Sequence, residues 1–211
     1  MTIPVQSIDY IDPRTRRTRQ LLMQAFADLL AEKSFESLTV QEITERATVN
    51  RATFYAHFED KYVLLDAAFA DSFQQTIQRK LPPGSGFIPM NLRLLIEGVC
   101  EYLEQMQAHC ARSIGTQFDS LVERQVKKQL DEILLSWLAK PAGGQFDGQT
   151  QAELQATVTS WAIYGAALHW SRGARKEPAQ DFARQALPLI MPGLKGQELV
   201  AAQEDALVHS G

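Results

Sequence analysis

The sequence predicts an all-α protein with a small N-terminal domain and a larger C-terminal helical domain. Apolar residues recur at three- and four-residue spacing along almost the whole 211-residue chain, and helix-capping residues stand where these runs begin. No stretch alternates apolar and polar residues as a strand would, and no repeat of fixed period occurs. The segment LPPGSGFIP, from Leu81 to Pro89, contains the prolines and glycines that stop a helix, so we place the domain boundary there.

Composition and charge restrict the class of protein. Hydrophobic residues make up 45% of the chain and charged residues 22%, which is enough for a sizeable core. The net charge of -4 argues against a generally basic nucleic-acid-binding protein. The charge is uneven, however, because four arginines fall within six residues near the N-terminus: Arg14, Arg16, Arg17 and Arg19. Net charge alone therefore does not decide for or against nucleic-acid binding.

Several motifs that would indicate other functions are missing. The two cysteines, Cys100 and Cys110, are too few for a disulfide framework and form no CxxC pair, so we expect buried thiols and neither metal nor cofactor. No glycine-rich phosphate loop, GxSxG elbow or HExxH motif supports an enzyme. The N-terminus lacks the features of a signal peptide, and no apolar run approaches the ~18 residues of a membrane span. We expect a cytoplasmic protein with no membrane partner.

Capping residues define the helices of the N-terminal domain. Asp12 followed by Pro13 is a favourable helix start. Thr39 and Glu42 form a capping box, in which each side chain bonds the other residue's amide. Asn50 can cap a further short helix. The predicted helices cover residues 12–33, 39–47, 50–57 and 60–80.

Helices 39–47 and 50–57, joined by a turn at Thr48 and Val49, have the size and order of a helix-turn-helix. Such a unit lays its first helix across the DNA backbone and places its second in the major groove. The run LTVQEITERATVNRATFYAHFEDKYVLL, residues 38–65, contains Thr-Phe-Tyr-x-His-Phe followed by a charged residue and lysine. This run resembles the TetR family of transcriptional regulators. The resemblance covers about residues 12–70, and nothing specific matches beyond Leu81.

The resemblance implies a set of DNA contacts. Phosphate contacts are expected from Thr39, Tyr55, His57 and Lys61, and phosphate or minor-groove attraction from the N-terminal arginines. Arg51 is the expected base reader, because arginine can bind guanine through two hydrogen bonds. The full set is Arg14, Arg16, Arg17, Thr39, Asn50, Arg51, Ala52, Thr53, Tyr55, His57 and Lys61. The alternatives are that His57 only caps or faces solvent, that Arg51 contacts no base, and that the arginine cluster is a solvated helix start.

Periodicity separates the aromatic residues of helix 50–57 from these contacts. Phe54 and Phe58 stand at i and i+4, so we expect both in the core. Two positions depart from the family, which commonly has glycine at Ser34 and at Thr48. A threonine in a left-handed conformation would be strained, so either the turn is built differently or the domain tolerates ~1–3 kcal/mol of strain.

The C-terminal part is predicted to contain helices near residues 90–109, 113–140, 149–173 and 178–191. Some of its aromatic, methionine and histidine residues are candidates to line a ligand cavity, although aromatic residues at helical spacing more often belong to the core. These candidates are Tyr102, Met106, His109, Phe118, Trp137, Trp161, Tyr164 and His169. Few charges look buried, so a partly apolar ligand is favoured over a highly charged one.

An apolar stripe on helix 149–173, at alternating steps of four and three residues, predicts helix pairing. In TetR-like proteins the last two long helices of each subunit form the dimer interface, and the resemblance implies the same here. The candidates are Leu154, Val158, Trp161, Ala162, Gly165, Leu168, Phe182, Ala186 and Leu189. The alternative is that the stripe faces the subunit's own core.

The predicted domain order is a helix-turn-helix domain at 12–60, a linking helix at 60–80, a ligand-binding and dimerisation domain at 81–195, and a flexible tail at 196–211. The resemblance implies a ligand-responsive repressor that binds a palindromic double-stranded operator as a homodimer and is released by an unidentified small-molecule inducer. Activation of transcription is a variant of this function. The alternative is a helical ligand-binding or interaction module that no longer binds DNA, favoured by the acidic net charge and the two missing glycines.

Overall fold

A computed structural model describes residues 12–110, 116–138, 148–173 and 177–191, without the side chains of residues 109, 110, 116–119, 148 and 149. Within these ranges the chain forms eight helices and no strand, which confirms the all-α prediction. The helices are α1 (Pro13–Glu32), α2 (Val40–Ala47), α3 (Arg51–His57), α4 (Lys61–Lys80), α5 (Pro89–Cys110), α6 (Thr116–Leu138), α7 (Gly148–Arg172) and α8 (Ala179–Ile190). The predicted tail at 196–211 lies outside the described residues.

The first compact unit contains α1, α2, α3 and the beginning of α4, as far as Ala68. Its core is aromatic and aliphatic, and the predicted burial of Phe54 and Phe58 is confirmed, at 0% and 1% exposure. Burying each such side chain contributes roughly 1.5–3 kcal/mol of hydrophobic free energy. Its other fully buried large side chains include Leu22, Phe26, Leu38, Ile43, Leu64 and Leu65.

The second compact unit contains the rest of α4, from Phe69, together with α5 as far as Ala108 and α6 to α8. Phe73 of α4 meets Tyr102 of α5 edge to face, with ring centroids 5.1 Å apart. A Cβ at Gly98 would lie 2.7 Å from Ile77 Cδ1, so a larger residue there would require the end of the Ile77 side chain to move. The boundary between the two units thus falls inside α4, which is one continuous helix.

The thiol of Cys100 is fully buried, as predicted, and burial raises its pKa to about 12. A thiol with so high a pKa is not a reactive nucleophile at neutral pH. The side chain of Cys110 lies outside the described residues. None of the described helices is both long enough and apolar enough to cross a membrane.

Candidate nucleic-acid interface

The turn between α2 and α3 has a left-handed residue. Thr48 has φ 56° and ψ 43°, and within the described ranges it is the one residue other than glycine with positive φ. The amide of Thr48 donates to the Glu45 carbonyl (3.1 Å) and that of Val49 to the Thr44 carbonyl (3.0 Å), which closes α2. Of the two alternatives for this turn, the structure has the glycine-like geometry with a threonine in it.

The loop after α1 is built without a left-handed residue at Ser34. Ser34 instead accepts hydrogen bonds at its carbonyl from the amide (3.2 Å) and the hydroxyl (2.8 Å) of Ser37. Phe35 and Leu38 are buried, at 5% and 2% exposure, and anchor the loop to the core. The missing glycine therefore requires no backbone strain at this position.

The third helix, α3, presents a polar surface and buries an aromatic one. Its N-cap Asn50 accepts hydrogen bonds at Oδ1 from the amide (2.7 Å) and the hydroxyl (2.9 Å) of Thr53. Arg51, Ala52 and Tyr55 are exposed, as is Asn50, and Thr53 is half-buried. Polar groups that a groove could accommodate are thus concentrated at the start of α3, on the side away from Phe54.

Arg51 and Tyr55 lie one turn apart on the exposed side of α3. The Arg51 guanidinium carbon is 6.0 Å from the centroid of the Tyr55 ring, and this ring meets Phe54 edge to face at 5.3 Å. The core phenylalanine therefore orients the tyrosine, and the tyrosine lies beside the arginine. Tyr55 is 50% exposed, so it has a large accessible surface outside the core.

Arg19 lies against the end of α3, which the sequence did not predict. Its Nη1 donates to the carbonyl of His57 at 3.5 Å, and its guanidinium carbon stands 4.4 Å from the centroid of the Phe58 ring. A cation near the C-terminus of a helix is favoured by the helix dipole. These contacts join α1 to α3, and the phosphate attraction that we expect of Arg19 with the rest of its cluster stays a prediction.

His57 is half-buried beside Arg19. Burial of the ring, and secondarily the charge of Arg19, lower the pKa of His57 from its ordinary value. The ring is therefore mainly neutral at neutral pH, with one N–H as a donor. The other arginines of the cluster, Arg14, Arg16 and Arg17, are exposed in the first two turns of α1.

The N-terminus of α2 carries a complete capping box. Glu42 accepts hydrogen bonds at Oε2 from the amide (3.0 Å) and the hydroxyl (2.8 Å) of Thr39, and Thr39 Oγ1 accepts from the Glu42 amide (3.3 Å). Lys33 pairs with the same carboxylate, and these hydrogen bonds, first that from Lys33, lower the pKa of Glu42 to about 2. Thr39 is exposed, but its hydroxyl hydrogen is already directed to Glu42.

Comparisons with known proteins agree with this arrangement. The model of the family "Bacterial regulatory proteins, tetR family" matches residues 22–68, which include α2, the turn and α3. The HTH-type transcriptional regulator YdeS of Bacillus subtilis (strain 168) is 26% identical over 196 residues, 91% of this chain and 96% of that protein. Residues 22–68 thus form a helix-turn-helix DNA-binding domain of the TetR family. The chain is a transcriptional regulator with this DNA-binding domain.

Two further comparisons differ in what they cover. YxbF of the same Bacillus strain, an HTH-type transcriptional regulator, is 41% identical over 68 residues, and this match spans 18% of that protein's length. A crystal structure of a tetR-family transcriptional regulator from Streptomyces coelicolor has a TM-score of 0.52 and 20% identity, and the match covers 92% of this chain and 89% of that one. The last comparison shows a shared fold over nearly the whole chain.

Lys61, the last residue of the TetR-like motif, has intramolecular partners. Its Nζ donates to the carbonyls of Phe35 (3.0 Å), Glu36 (3.1 Å) and Leu38 (2.9 Å), and lies 4.7 Å from the centroid of the Phe35 ring. All three ammonium hydrogens are thus directed to the loop between α1 and α2. The phosphate contact that the motif implies stays a prediction, and these carbonyls compete with it.

The candidate ligand residues of the second unit are divided between interior and surface. Tyr102, Trp137 and Tyr164 are buried, and Met106 is half-buried. Tyr102 donates from its hydroxyl to the Phe69 carbonyl at 3.4 Å. Trp161 and His169 are exposed, so neither is enclosed by its own chain. The side chains of His109 and Phe118 lie outside the described residues.

The candidate dimer residues of α7 are exposed rather than packed. Leu154, Val158 and Trp161 are 59%, 58% and 55% exposed, and Gly165 is exposed as well. Leu189 of α8 is 82% exposed. Three other candidates are half-buried: Ala162, Leu168 and Phe182. The alternative that the whole stripe faces its own core is therefore wrong for the four exposed positions of α7.

Ala186 is the exception among the candidate dimer residues. It is 5% exposed and packs inside its own unit, because the small residues Ala183 and Ala186 form the buried side of α8. Almost no surface of Ala186 is left for a partner. The aromatic neighbour Phe182 packs near Trp170, with ring centroids 6.4 Å apart, so α8 contributes to the core through several residues.

Proposed function

We propose that this regulator is a ligand-responsive repressor that binds a palindromic operator as a homodimer and is released by a small molecule. The exposed polar start of α3 carries the DNA-binding part of the proposal. Arg51 and Tyr55 are accessible there, and the buried Phe54 holds the helix they stand on. Arginine in the major groove discriminates guanine by ~1–3 kcal/mol.

The positive charge near α3 supports DNA binding despite the negative net charge of the chain. Residues 13–27 contain four arginines and no acidic residue, and residues 46–58 contain two arginines and no acidic residue. Arg14, Arg16, Arg17 and Arg51 are all exposed. We assign phosphate contacts to Arg14, Arg16, Arg17, Tyr55 and His57, and additional contacts near the bases to Asn50, Ala52 and Thr53. The phosphate at the N-terminus of α2 would accept from the first amides of that helix and from the Thr39 hydroxyl, whose hydrogen would turn from Glu42 to the phosphate.

The dimer part of the proposal rests on the exposed apolar side of α7. Three large apolar side chains, Leu154, Val158 and Trp161, are each more than half exposed on one helix. Exposed apolar side chains arranged along one helix indicate an interaction surface. A symmetric pairing of two such helices would join two recognition helices, and two recognition helices match the symmetry of a palindrome.

The release of DNA is assigned to the second unit. A small molecule bound there would shift α4, which continues from that unit into the first, and change the spacing of the two recognition helices. A coupling of ~1–3 kcal/mol weakens operator binding about 5–150-fold. A ligand that binds the purified protein and leaves DNA affinity unchanged would remove this part of the proposal.

Salt dependence tests the DNA-binding part at low cost. Affinity for duplex DNA is measured at several salt concentrations for the native chain and for Arg17→Ala. Phosphate neutralisation predicts a steep fall of affinity with salt and a slope that is shallower for Arg17→Ala, by ~0.9 for each phosphate that the variant no longer neutralises. A chain without measurable affinity at low salt would instead be the helical module that no longer binds DNA.

A further inference from the structure

We infer that Lys61 is a positioning residue for the N-terminus of α2 and acts on DNA through Thr39 rather than through a phosphate of its own. This inference rests on the proposed function, since it concerns how the first unit binds the DNA backbone. The observation behind it is that three carbonyls of the loop before Thr39 converge on one ammonium group.

We call Lys61 and the three carbonyl groups that it joins the clamp. Nζ of Lys61 lies 2.9–3.1 Å from the carbonyl oxygens of Phe35, Glu36 and Leu38, which uses all of its donors. Without a cation between them, these three converging carbonyl oxygens would repel one another. The Phe35 ring adds a cation–π contact at 4.7 Å. The loop is therefore fixed both by buried side chains and by its carbonyl groups.

The clamp also explains why a lysine begins α4. A positive charge in the first turn of a helix is opposed by the helix dipole, so the residue needs a compensating partner. A DNA phosphate would compensate it only in the complex, whereas the carbonyl oxygens compensate it in the free protein. Asp60, the preceding residue, meanwhile accepts hydrogen bonds from the amides of Tyr62 (2.8 Å) and Val63 (2.9 Å) and caps the helix.

The clamped loop leads directly into the proposed phosphate site. Leu38, whose carbonyl accepts from Lys61, is bonded to Thr39, the N-cap of α2. On the other side of the loop, Lys33 at the end of α1 pairs with Glu42, which in turn bonds Thr39. Lys33 and Lys61 thus both stabilise the loop that leads into α2. A shift of this loop would move the Thr39 hydroxyl and the amides that follow it.

The test uses Lys61→Met and Lys61→Arg in the full chain, with Arg17→Met as a matched loss of an exposed charge. Thermal unfolding and affinity for a random-sequence 30-base-pair duplex over a salt series are measured for each. The clamp predicts a fall in Tm of roughly 4–8 °C for Lys61→Met. It also predicts ~10-fold weaker binding with the salt slope unchanged. Lys61→Arg should not restore Tm, because a planar guanidinium cannot direct its donors at three convergent oxygens.

A direct phosphate contact predicts the opposite pattern. Lys61→Met would keep the native Tm and reduce the salt slope by ~0.9 per chain, as Arg17→Met should, and Lys61→Arg would restore the slope. That result would overturn the inference. If Lys61→Met does not fold, Lys61→Arg decides: a native Tm and slope reject the clamp, and a lowered Tm supports it. If the native chain binds no duplex, the proposed function fails, while the Tm values still test the clamp.

A double-mutant cycle with Thr39→Ala tests whether Lys61 acts through Thr39. Affinities are measured well below the lowest Tm, so that all chains are folded. If Lys61 acts by positioning Thr39, the double variant should bind DNA at most ~2-fold more weakly than the single variant with the lower affinity. The reason is that Lys61→Met already displaces the Thr39 hydroxyl that Thr39→Ala removes. Losses that multiply would show two independent contacts and would contradict the inference.

Discussion

The helices α3 and α7 both bury apolar residues but expose different kinds of residue. In α3 the aromatic side is buried and the polar side exposed, with Phe54 at 0% and Tyr55 at 50% exposure. In α7 the polar residues Thr159 and Ser160 are buried while Val158 and Trp161 are more than half exposed. An exposed polar side suits a charged, hydrated partner such as DNA, and an exposed apolar side suits another apolar surface. The difference indicates that the two helices have different kinds of partner.

The buried Ser160 hydroxyl of α7 has a hydrogen-bond partner within the unit. The Ser160 hydroxyl donates to Asp131 Oδ1 of α6 at 2.6 Å, and Lys127 of α6 lies 3.2 Å from the centroid of the Trp161 ring. A buried hydroxyl without such a partner would cost about 1–3 kcal/mol. The contact with α6 therefore satisfies a polar group on the buried side of α7, which also contains apolar residues such as Ile163 and Ala167.

The largest expected effect is on the buried side of α3. Phe54→Ala should lower the free energy of unfolding by about 3–5 kcal/mol, because it leaves a cavity in the core of the first unit. Tyr55→Ala, the neighbouring exposed position, should cost less than about 1 kcal/mol. Chemical denaturation of both variants measures the difference. Equal losses would mean that the two sides of α3 are not distinguished by burial.

The next effect concerns the exposed side of α7. Val158→Glu should leave the subunit folded but weaken the dimer by about 2 kcal/mol or more, because a carboxylate would be buried in the apolar contact. Sedimentation at several protein concentrations measures the dimerisation constant. Gln151→Glu, at another exposed position of α7, controls for the added negative charge. A Val158→Glu chain with the dimerisation constant of the native chain would move the interface away from this side of α7.

A smaller effect is expected on the exposed side of α3. Arg51→Ala should remove about 1–3 kcal/mol of discrimination at one base pair in each half-site. Arg17→Ala should instead weaken binding to all sequences alike. Competition between native and single-base-changed duplexes measures both variants. An equal loss on every sequence for Arg51→Ala would make Arg51 a backbone contact.

The smallest expected effect is on the turn that joins α2 to α3. Thr48→Gly should raise the free energy of unfolding by roughly 0.5–1 kcal/mol, because glycine adopts the left-handed conformation without the steric cost of a Cβ. Thr48→Ala, which keeps the Cβ, should gain less. Urea denaturation compares the three chains. A glycine variant less stable than the native chain would show that the threonine conformation is compensated by its surroundings.

Local sequence features predicted the helices well. Caps such as Asp12, Thr39 and Asn50 act within three residues, and the structure has all three at helix N-termini. The burial of Phe54 and Phe58 followed from their spacing. These predictions needed only the helical repeat and the chemistry of the helix ends.

Features that depend on distant contacts could not be predicted in the same way. The carbonyl partners of Lys61 are 23–26 residues away, and the His57 carbonyl that Arg19 approaches is 38 residues away. Nothing in the local pattern distinguishes such residues from exposed cations. The burial of Ala186 likewise depends on how α8 packs. The location of each helix was therefore predictable from the sequence, whereas the contacts of its charged residues were not.

Selection of binding sites from random duplex DNA, with the purified protein at about 0.1 M salt, tests the central claim most directly. The exposed sides of α3 and α7 together predict an enriched palindrome, because α3 would read each half-site and α7 would pair the two chains. The same selection with Val158→Glu should yield half-sites or no enrichment. If the folded native protein enriches no sequence at all, the polar surface of α3 is not a base-reading surface, and the claim is contradicted.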